Sequence, residues 1–263
     1  MKQVVMTGIG PVAAVGIGRA AWRQGIAKGA SGVSPLTLFA AEHPTAEVRD
    51  FDIDAILPSQ KTYLDRASAF TLAAGHLALE DAGLSAEQRD RARAGIVLGS
   101  EFGCLPTMQI YTAALQQKGA RLANPLLFSH MYVNTPTSLA AIEFGLGGHH
   151  GTFAGAAAGP QALESAREAL LLGRADVILA IGVDVISEPL YHALAAEGAL
   201  GDDALGEGAC ALVLESEEHA AQRGVAGIPL ASVAAEAAPV RALLGRTFAA
   251  EIFFAAAWPI GGS

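Results

Sequence analysis

Hydrophobic and polar positions along this chain switch repeatedly between unbroken apolar runs and spacings of three and four. Val4–Thr7 reads as a short strand, which the glycine-rich "GIGPVAAVG" is expected to end. Arg19–Ala27 follows as a helix, and Gly29–Asp54, with Pro35 and Pro44, as a loop-rich stretch. Leu64–Asp81 carries small and apolar residues at helical spacing and stops at Gly83. "AGIVL" at Ala94–Leu98 predicts a buried strand, and Pro106–Gln117 a helix. "LANPLLFSHMYVNTP" reads as an irregular apolar segment, after which Thr137–Phe144 begins another helix, broken by "GLGG".

The stretch "GTFAGAAAGPQALESAREALLLGRADVILAIG", Gly151–Gly182, predicts a tight turn opening a helix, a short link and a buried strand. Pro160 falls in the first helical turn, where its missing N–H costs nothing. Leu163, Ala166, Leu170 and Leu171 form the expected buried stripe, with Glu164, Arg167 and Glu168 facing away. "ADVILAIG" is apolar throughout, as a strand covered on both faces requires. "GEGACALVLES" predicts a further buried strand and "IPLASVAAE" one more. Leu243–Trp258, apolar on nearly every side, is expected to be one buried helix. Alternating strands and helices argue for an α/β layered fold around a mixed sheet, organised as one compact domain.

Composition sharpens this picture. Of 263 residues, 52% are hydrophobic and only 16% charged, too few charges to cover a free surface generously. A largely apolar partner interface is therefore expected. A formal net charge of −9, without Lys/Arg clusters, argues against nucleic acid, since phosphate contacts need basic side chains. Cys104 and Cys210 match no metal or redox spacing, which fits a reduced, cytoplasmic setting. The opening "MKQVVMTGIGPVAAVGIG" superficially resembles a signal peptide, but Gly8, Gly10 and Pro11 interrupt its apolar run. The apolar run near Ala255–Trp258 is far shorter than the ~20 residues that span a bilayer, so no membrane partner is expected.

Candidate chemistry is sparse. "GIGPVA" at Gly8–Ala13 fits a dinucleotide-binding turn, yet Pro11 removes a donor and no acid follows about 20 residues on; a structural turn is expected and no cofactor. His149 and His150 are neighbours that would point to opposite faces of a strand, so a shared metal is not expected. Asp202, Asp203 and Glu207 in "GDDALGEG" read as solvated loop acids rather than a cation site. Ser129 and His130 are adjacent, a poor geometry for a nucleophile and its base. The turn at Ala154–Gly159 is different. A side chain at a helix N-terminus feels the positive end of the dipole and free N–H donors, which would stabilise a thiolate or an oxyanion. Ala156 offers only a methyl group there.

Five segments, taken in order, resemble the β-ketoacyl synthases of the thiolase fold. They are "VVMTGIGPVAAVG", "RASAFTLAAGHLALEDAGL", "NPLLFSHMYVNTPTSLAAIEFGLGG", "GRADVILAIGVD" and "GEGACALVLESEEHAAQRG". The resemblance implies a layered α-β-α architecture with an intact N-terminal half, residues 1–224. It also implies a much reduced C-terminal half, residues 225–263, within one ketosynthase-like domain. Such synthases hold an acyl chain on the cysteine of a T-A-C-x-S-G turn and condense it with malonyl-loaded acyl carrier protein. Aligning that turn on Gly159 puts Ala156 at the cysteine and Ala158 at the serine. "VRALLGRTFAAEIFFAAAW" resembles the segment carrying the second catalytic histidine, with Arg246 in its place and Arg241 near the usual lysine. The family's H-G-T motif does not occur.

The resemblance therefore implies a non-catalytic, chain-length-factor-like subunit, heterodimeric with a catalytic ketosynthase and meeting acyl carrier protein through that complex. Known factors of this kind carry glutamine at the cysteine position and are full length. Ala156 and the short chain point instead to a divergent group such as the partners in aryl-polyene synthesis. The loss would leave an apolar face uncovered on the sheet and helices that normally pack against that half, to be covered by another subunit. On this reading Leu105, Met108, Gln109 and Thr112 form one helical face towards the partner's acyl tunnel, with Leu127, Phe128, Met131 and Tyr132 beside it. The bland reading of that Met/Leu stripe is ordinary core. Two other functions compete: a thioesterase or acyltransferase with a relocated nucleophile, Cys104 or Ser129, and a scaffold that binds acyl carrier protein.

Overall fold

A computed structural model describes residues 3–200, 204–230 and 237–261. Its centre is a seven-stranded mixed sheet built from β1 (Val4–Ala13), β2 (Gly16–Ile17), β4 (Ala94–Ser100), β5 (His150–Ala154), β6 (Val177–Asp184), β8 (Gly208–Ser216) and β9 (Ile228–Pro229). The strand order is β2-β1-β8-β6-β4-β5, with β9 also on β1. β4 is parallel to both β5 and β6, whereas β8 runs antiparallel to β6 and β1. Two short strands, β3 (Thr45–Ala46) and β7 (Leu205–Gly206), pair in parallel apart from it.

Strand periodicity explains the layers. Ile96 and Leu98 of β4, Leu179 and Ile181 of β6, and Ala211 and Val213 of β8 enter one core, beneath α2 (Arg66–Asp81) and α5 (Thr135–Phe144). The intervening Val97, Ile178, Ala180, Leu212 and Leu214 enter the other, beneath α6 (Ala158–Leu171) and α10 (Glu251–Gly261). Side chains two apart share a face, so continuous apolar strands supply two cores at once. The result is the expected α-β-α sandwich. The remaining helices are α1 (Arg19–Ala27), α3 (Leu105–Lys118), α4 (Pro125–His130), α7 (Glu188–Ala196), α8 (Glu217–Gln222) and α9 (Ala237–Leu244). On α6 the buried stripe runs through Ala162, Ala166, Ala169 and Leu170, while Leu163 and Leu171 are only partly covered.

The glycine-rich opening is strand, not turn. β1 continues through "GIGPVA" to Ala13, and its pairing with β8 slips at a bulge between Met6 and Gly8. The extra residue, Thr7, restores the alternation one step later, so Met6 and Ile9 lie on the same face. Gly8 and Gly10 serve a close approach by α2: a Cβ on Gly8 would sit 2.4 Å from the Ala78 carbonyl oxygen, and one on Gly10 1.9 Å from that of Ala74. The absent side chain lets helix backbone touch strand backbone.

The tail also departs from expectation. The single helix over 243–258 is broken: α9 ends at Leu244, Gly245 takes a left-handed φ of +66°, and α10 begins only at Glu251. Between them Arg246 pairs like a strand residue, its N–H donating to the Ala204 carbonyl (2.7 Å) while its own carbonyl accepts from Gly206 (3.0 Å). Phe248 then turns back with a φ of +48°. Of "IPLASVAAE" only Ile228–Pro229 is seen as strand, and residues 231–236 lie outside the described residues.

Asp184 fixes the break. At the end of β6 its buried carboxylate accepts from Ser100 Oγ (2.9 Å) and from the N–H groups of Glu101 (3.1 Å), Phe102 (3.0 Å) and Ala249 (2.9 Å). Burial nevertheless pushes its pKa up to about 7 against those four donors.

Two predictions follow from these contacts. Gly10→Ala forces a methyl into the Ala74 carbonyl and is expected to lose ~1–3 kcal/mol of stability, at the upper end of that range. An unchanged urea midpoint would refute the close-packing role. Asp184→Asn turns an N–H donor towards neighbouring donors and should cost ~1–3 kcal/mol. Because the native carboxyl binds its proton more tightly than the unfolded one, its contribution to stability falls as pH rises from about 4 to about 7. The stability gap between wild type and Asp184→Asn should accordingly narrow across that window, measured by denaturant titration at each end.

Candidate functional site

β5 delivers the chain to a turn at the edge of the sheet. Gly155 takes a φ of +96°, Ala156 and Ala157 follow, and α6 starts at Ala158 without any side-chain cap on its first turn. A cavity of about 400 Å³ opens on this turn. Ala156 lines it, and so do Arg246 and Arg241, which the sequence resemblance places against the second histidine and the lysine of an active synthase. The break between α9 and α10 brings these residues to the turn, and Asp184 holds the break.

Two acids, Glu101 and Glu251, share the cavity with the two arginines. Arg241 is bonded to Glu251, its Nη2 at 2.8 Å and its Nε at 3.1 Å from Oε1. Arg246 lies over the Phe248 ring at 5.1 Å and donates a long 3.4 Å bond to the Ala199 carbonyl. Burial raises the pKa of Glu101, while the charge of Arg246 pulls it down. Pro160, Phe248, Ala249, Ile252 and Ala255 complete the wall. None of these described lining residues carries a thiol, hydroxyl or imidazole; what they offer is charge and apolar surface.

The other candidates lie elsewhere. Cys104 is buried before α3, where burial and the nearby Asp65 push its thiol up, away from a reactive thiolate. Ser129 Oγ donates to the Leu126 carbonyl (2.9 Å), and the His130 ring packs on Tyr63 with centroids 5.1 Å apart. His149 Nε2 meets Ser165 Oγ at 3.2 Å, while His150 stands exposed on β5. Among the described residues no group of three His, Cys, Asp or Glu is placed to hold a metal. Asp202 and Asp203 lie outside the described residues. Glu207 corrects its expectation of a solvated loop acid: it is fully buried and gripped by Arg66 (2.5 and 2.9 Å) and the N–H groups of Val48 and Ile186.

The α3–α4 region is the notable surface. Within α3 only Thr107 is buried, so the stripe is not core. Met108, Gln109 and Thr112 are exposed, together with Ile110, Leu115, Leu122 and Leu126, which the one-face reading did not single out. Phe128 (44% exposed) sits between Tyr111 and Tyr132, with ring centroids at 5.6 and 5.2 Å. Leu127 and Met131 are half-buried beside them. Leu105 turns inward instead, packing on the cluster around Leu190 and Tyr191 of α7, because it lies where α3 crosses α7. The apolar face expected to lie uncovered on the sheet and its helices is not what the described residues show. α10 covers that side of the sheet with Phe253 and Phe254, and the outer face of α6 is charged.

No helix among the described residues is long and apolar enough to cross a membrane. Known proteins bear on the fold and site together. The family model "Beta-ketoacyl synthase, N-terminal domain" matches residues 1–220. The chain is 29% identical to a 3-oxoacyl-[acyl-carrier-protein] synthase 2 of Synechocystis sp., over 85% of this chain and 60% of the relative. A synthase 2 of Coxiella burnetii is also 29% identical, over 84% of this chain and 60% of its own. Among solved structures, the ishigamide ketosynthase/chain length factor superposes with a TM-score of 0.77 at 25% identity, covering 86% of this chain and 61% of that one. A β-ketoacyl synthase from Burkholderia phymatum STM815 gives 0.75 at 26% identity, covering 86% and 62%. The chain thus spans about three fifths of the length of these relatives. With its mixed sheet, its turn into α6 and a family match over most of its residues, the chain belongs to the β-ketoacyl synthase family.

Proposed function

We propose that this protein is a non-catalytic, chain-length-factor-like subunit of a cytoplasmic type II polyketide or fatty-acid-like synthase. It pairs with a catalytic β-ketoacyl synthase and helps shape that partner's acyl tunnel. The observation that carries the reading is the cavity at Ala156, which has the turn, the helix N-terminus and the surrounding charges but, among its described lining residues, no thiol to form a thioester. On this reading Ala156 stands at the nucleophile position and Arg246 at a catalytic histidine, so condensation would take place in the partner. Residues 1–224 supply the N-terminal half of the domain, and 225–263 belong to the other half. Acyl carrier protein would dock through the complex, since a chain of net charge −9 is a poor general attractor for acidic carriers. Placement among aryl-polyene systems rests on Ala156 at the cysteine position.

The exposed apolar surface of α3 and α4 supports an obligate partner. Met108, Ile110, Phe128 and Tyr132 together present aromatic and thioether groups of the kind enriched at interfaces. The ishigamide ketosynthase/chain length factor is a structural neighbour whose own description joins the two functions. The relocated-nucleophile reading gains nothing from the geometry, because Cys104 is sealed and the Ser129 hydroxyl is spent on the Leu126 carbonyl.

Co-expression with a full-length ketosynthase from the same genomic neighbourhood, followed by light scattering, should give a stable one-to-one complex. A well-behaved monomer that ignores the ketosynthase would overturn the reading. Phe128→Asp is expected to weaken pairing at least tenfold, about 1.4 kcal/mol or more, with the fold intact by circular dichroism. Within an intact complex, Thr112→Trp or Met108→Trp should shorten the products. An unchanged product distribution would remove those residues from the tunnel wall.

A further inference from the structure

Charge is spread unevenly along this chain, and the unevenness coincides with its most apolar surface. Residues 102–142, which carry α3, the short turn Ala120–Leu122 and α4, contain no aspartate or glutamate: all 26 acidic side chains of the chain lie outside them. The segment's only lysine and arginine are Lys118 and Arg121, so it is locally cationic in a chain of net charge −9. Both are exposed at the far end of α3, Lys118 in its last turn and Arg121 in the 3₁₀ turn beyond Gly119. Exposed Leu115 and Leu122 flank them in sequence and carry the apolar surface up to the cations.

Elsewhere the protein neutralises many of its cations internally. Arg66 is held by Glu207, Arg93 by Asp176, Arg223 by Glu215 and Lys61 by Glu143. Lys118 and Arg121 make no such pair among the described residues. A charge at the border of an apolar patch gains strength when the patch is covered, because the water that screened it is displaced. Two-fold self-pairing through this face would set the same acid-free border against itself. Cations would then meet at the seam with no carboxylate from either copy between them, which disfavours a second copy as the occupant.

We propose that the α3–α4 face fits a partner whose matching surface is an apolar patch bordered by carboxylates, and that Lys118 and Arg121 meet those carboxylates and steer the two together. The carboxylates belong, on the non-catalytic-subunit reading on which this proposal rests, to the catalytic ketosynthase. Over the rest of this chain the net field is negative and repels an acidic surface, so the orientation of approach comes from this border. Added salt separates the two parts of such an interface: it screens the border and spares the apolar cover.

Analytical ultracentrifugation of the full chain with that ketosynthase, at ionic strengths of about 0.05 and about 0.5 M, gives the first readout. Pairing should weaken at least tenfold at the higher salt. Charge reversal in the double variant Lys118→Glu/Arg121→Glu should weaken it at least tenfold at low salt and far less at high salt, whereas Phe128→Asp weakens it at both. The second readout uses the wild-type complex: zero-length carbodiimide coupling and peptide mass spectrometry should find Lys118 joined to an aspartate or glutamate of the ketosynthase. A complex indifferent to salt and to charge reversal overturns the proposal and leaves the subunit reading standing. So does Lys118 left uncoupled, or joined to a second copy of this chain or to acyl carrier protein. Absence of any complex overturns both. Should the double variant fail to fold, the coupling of Lys118 in the wild type decides alone.

Discussion

The carboxylate of Asp184 is the contact on which the candidate site depends. It sits at the C-terminal end of the central strand β6, sealed from water, and gathers the N–H groups of Glu101 and Phe102 with that of Ala249. One side of this arrangement is the loop leaving β4, and the other is the turn that interrupts the tail. An open α/β sheet places its sites where strands end and loops diverge. Here a single acid forces two such loops, far apart in sequence, into one corner. Without it the four donors would face each other across a dry gap, and the corner carrying Ala156, Arg246 and Glu101 would have no fixed shape.

That corner is electrostatically unusual for a place without a nucleophile. Two arginines and two glutamates line it, and only one pair, Arg241 with Glu251, is closed at hydrogen-bond distance. The remaining guanidinium stacks on Phe248 and keeps an unsatisfied nitrogen. A site that had merely lost its chemistry could have filled with apolar side chains at lower cost, since buried charge is expensive to keep. Instead the described walls keep four charged side chains around Ala156.

The layers were legible in the chain because strand alternation and helix spacing are local. "ADVILAIG" and "GEGACALVLES" announce two-faced burial, and the structure gives them two cores. The same local reading failed where a residue's reason lies in a distant segment. Gly8 and Gly10 suggest a turn until α2 is seen lying on them. Glu207 looks like a loop acid until Arg66, 141 positions away, is seen gripping it. Asp184 ends an apolar strand with no local hint of its donors, which lie 65 to 84 positions away. The tail's apolarity was read correctly, yet its break was not, because Gly245 and the pairing of Arg246 with β7 outweigh helix propensity there.

The two unsatisfied features of the molecule lie in different places, and their separation matters. The apolar surface of α3 and α4 asks for a partner, since rings such as Phe128 and Tyr132 gain little from water. The buried Nε of Arg246, apart from that surface, has no hydrogen-bond partner among the described residues. A chain selected only to plug a partner's surface would need the first and not the second. The exposed rings of α3 and α4 and the charged cavity at Ala156 are therefore two unlike surfaces, one asking for apolar cover and the other for charge or water.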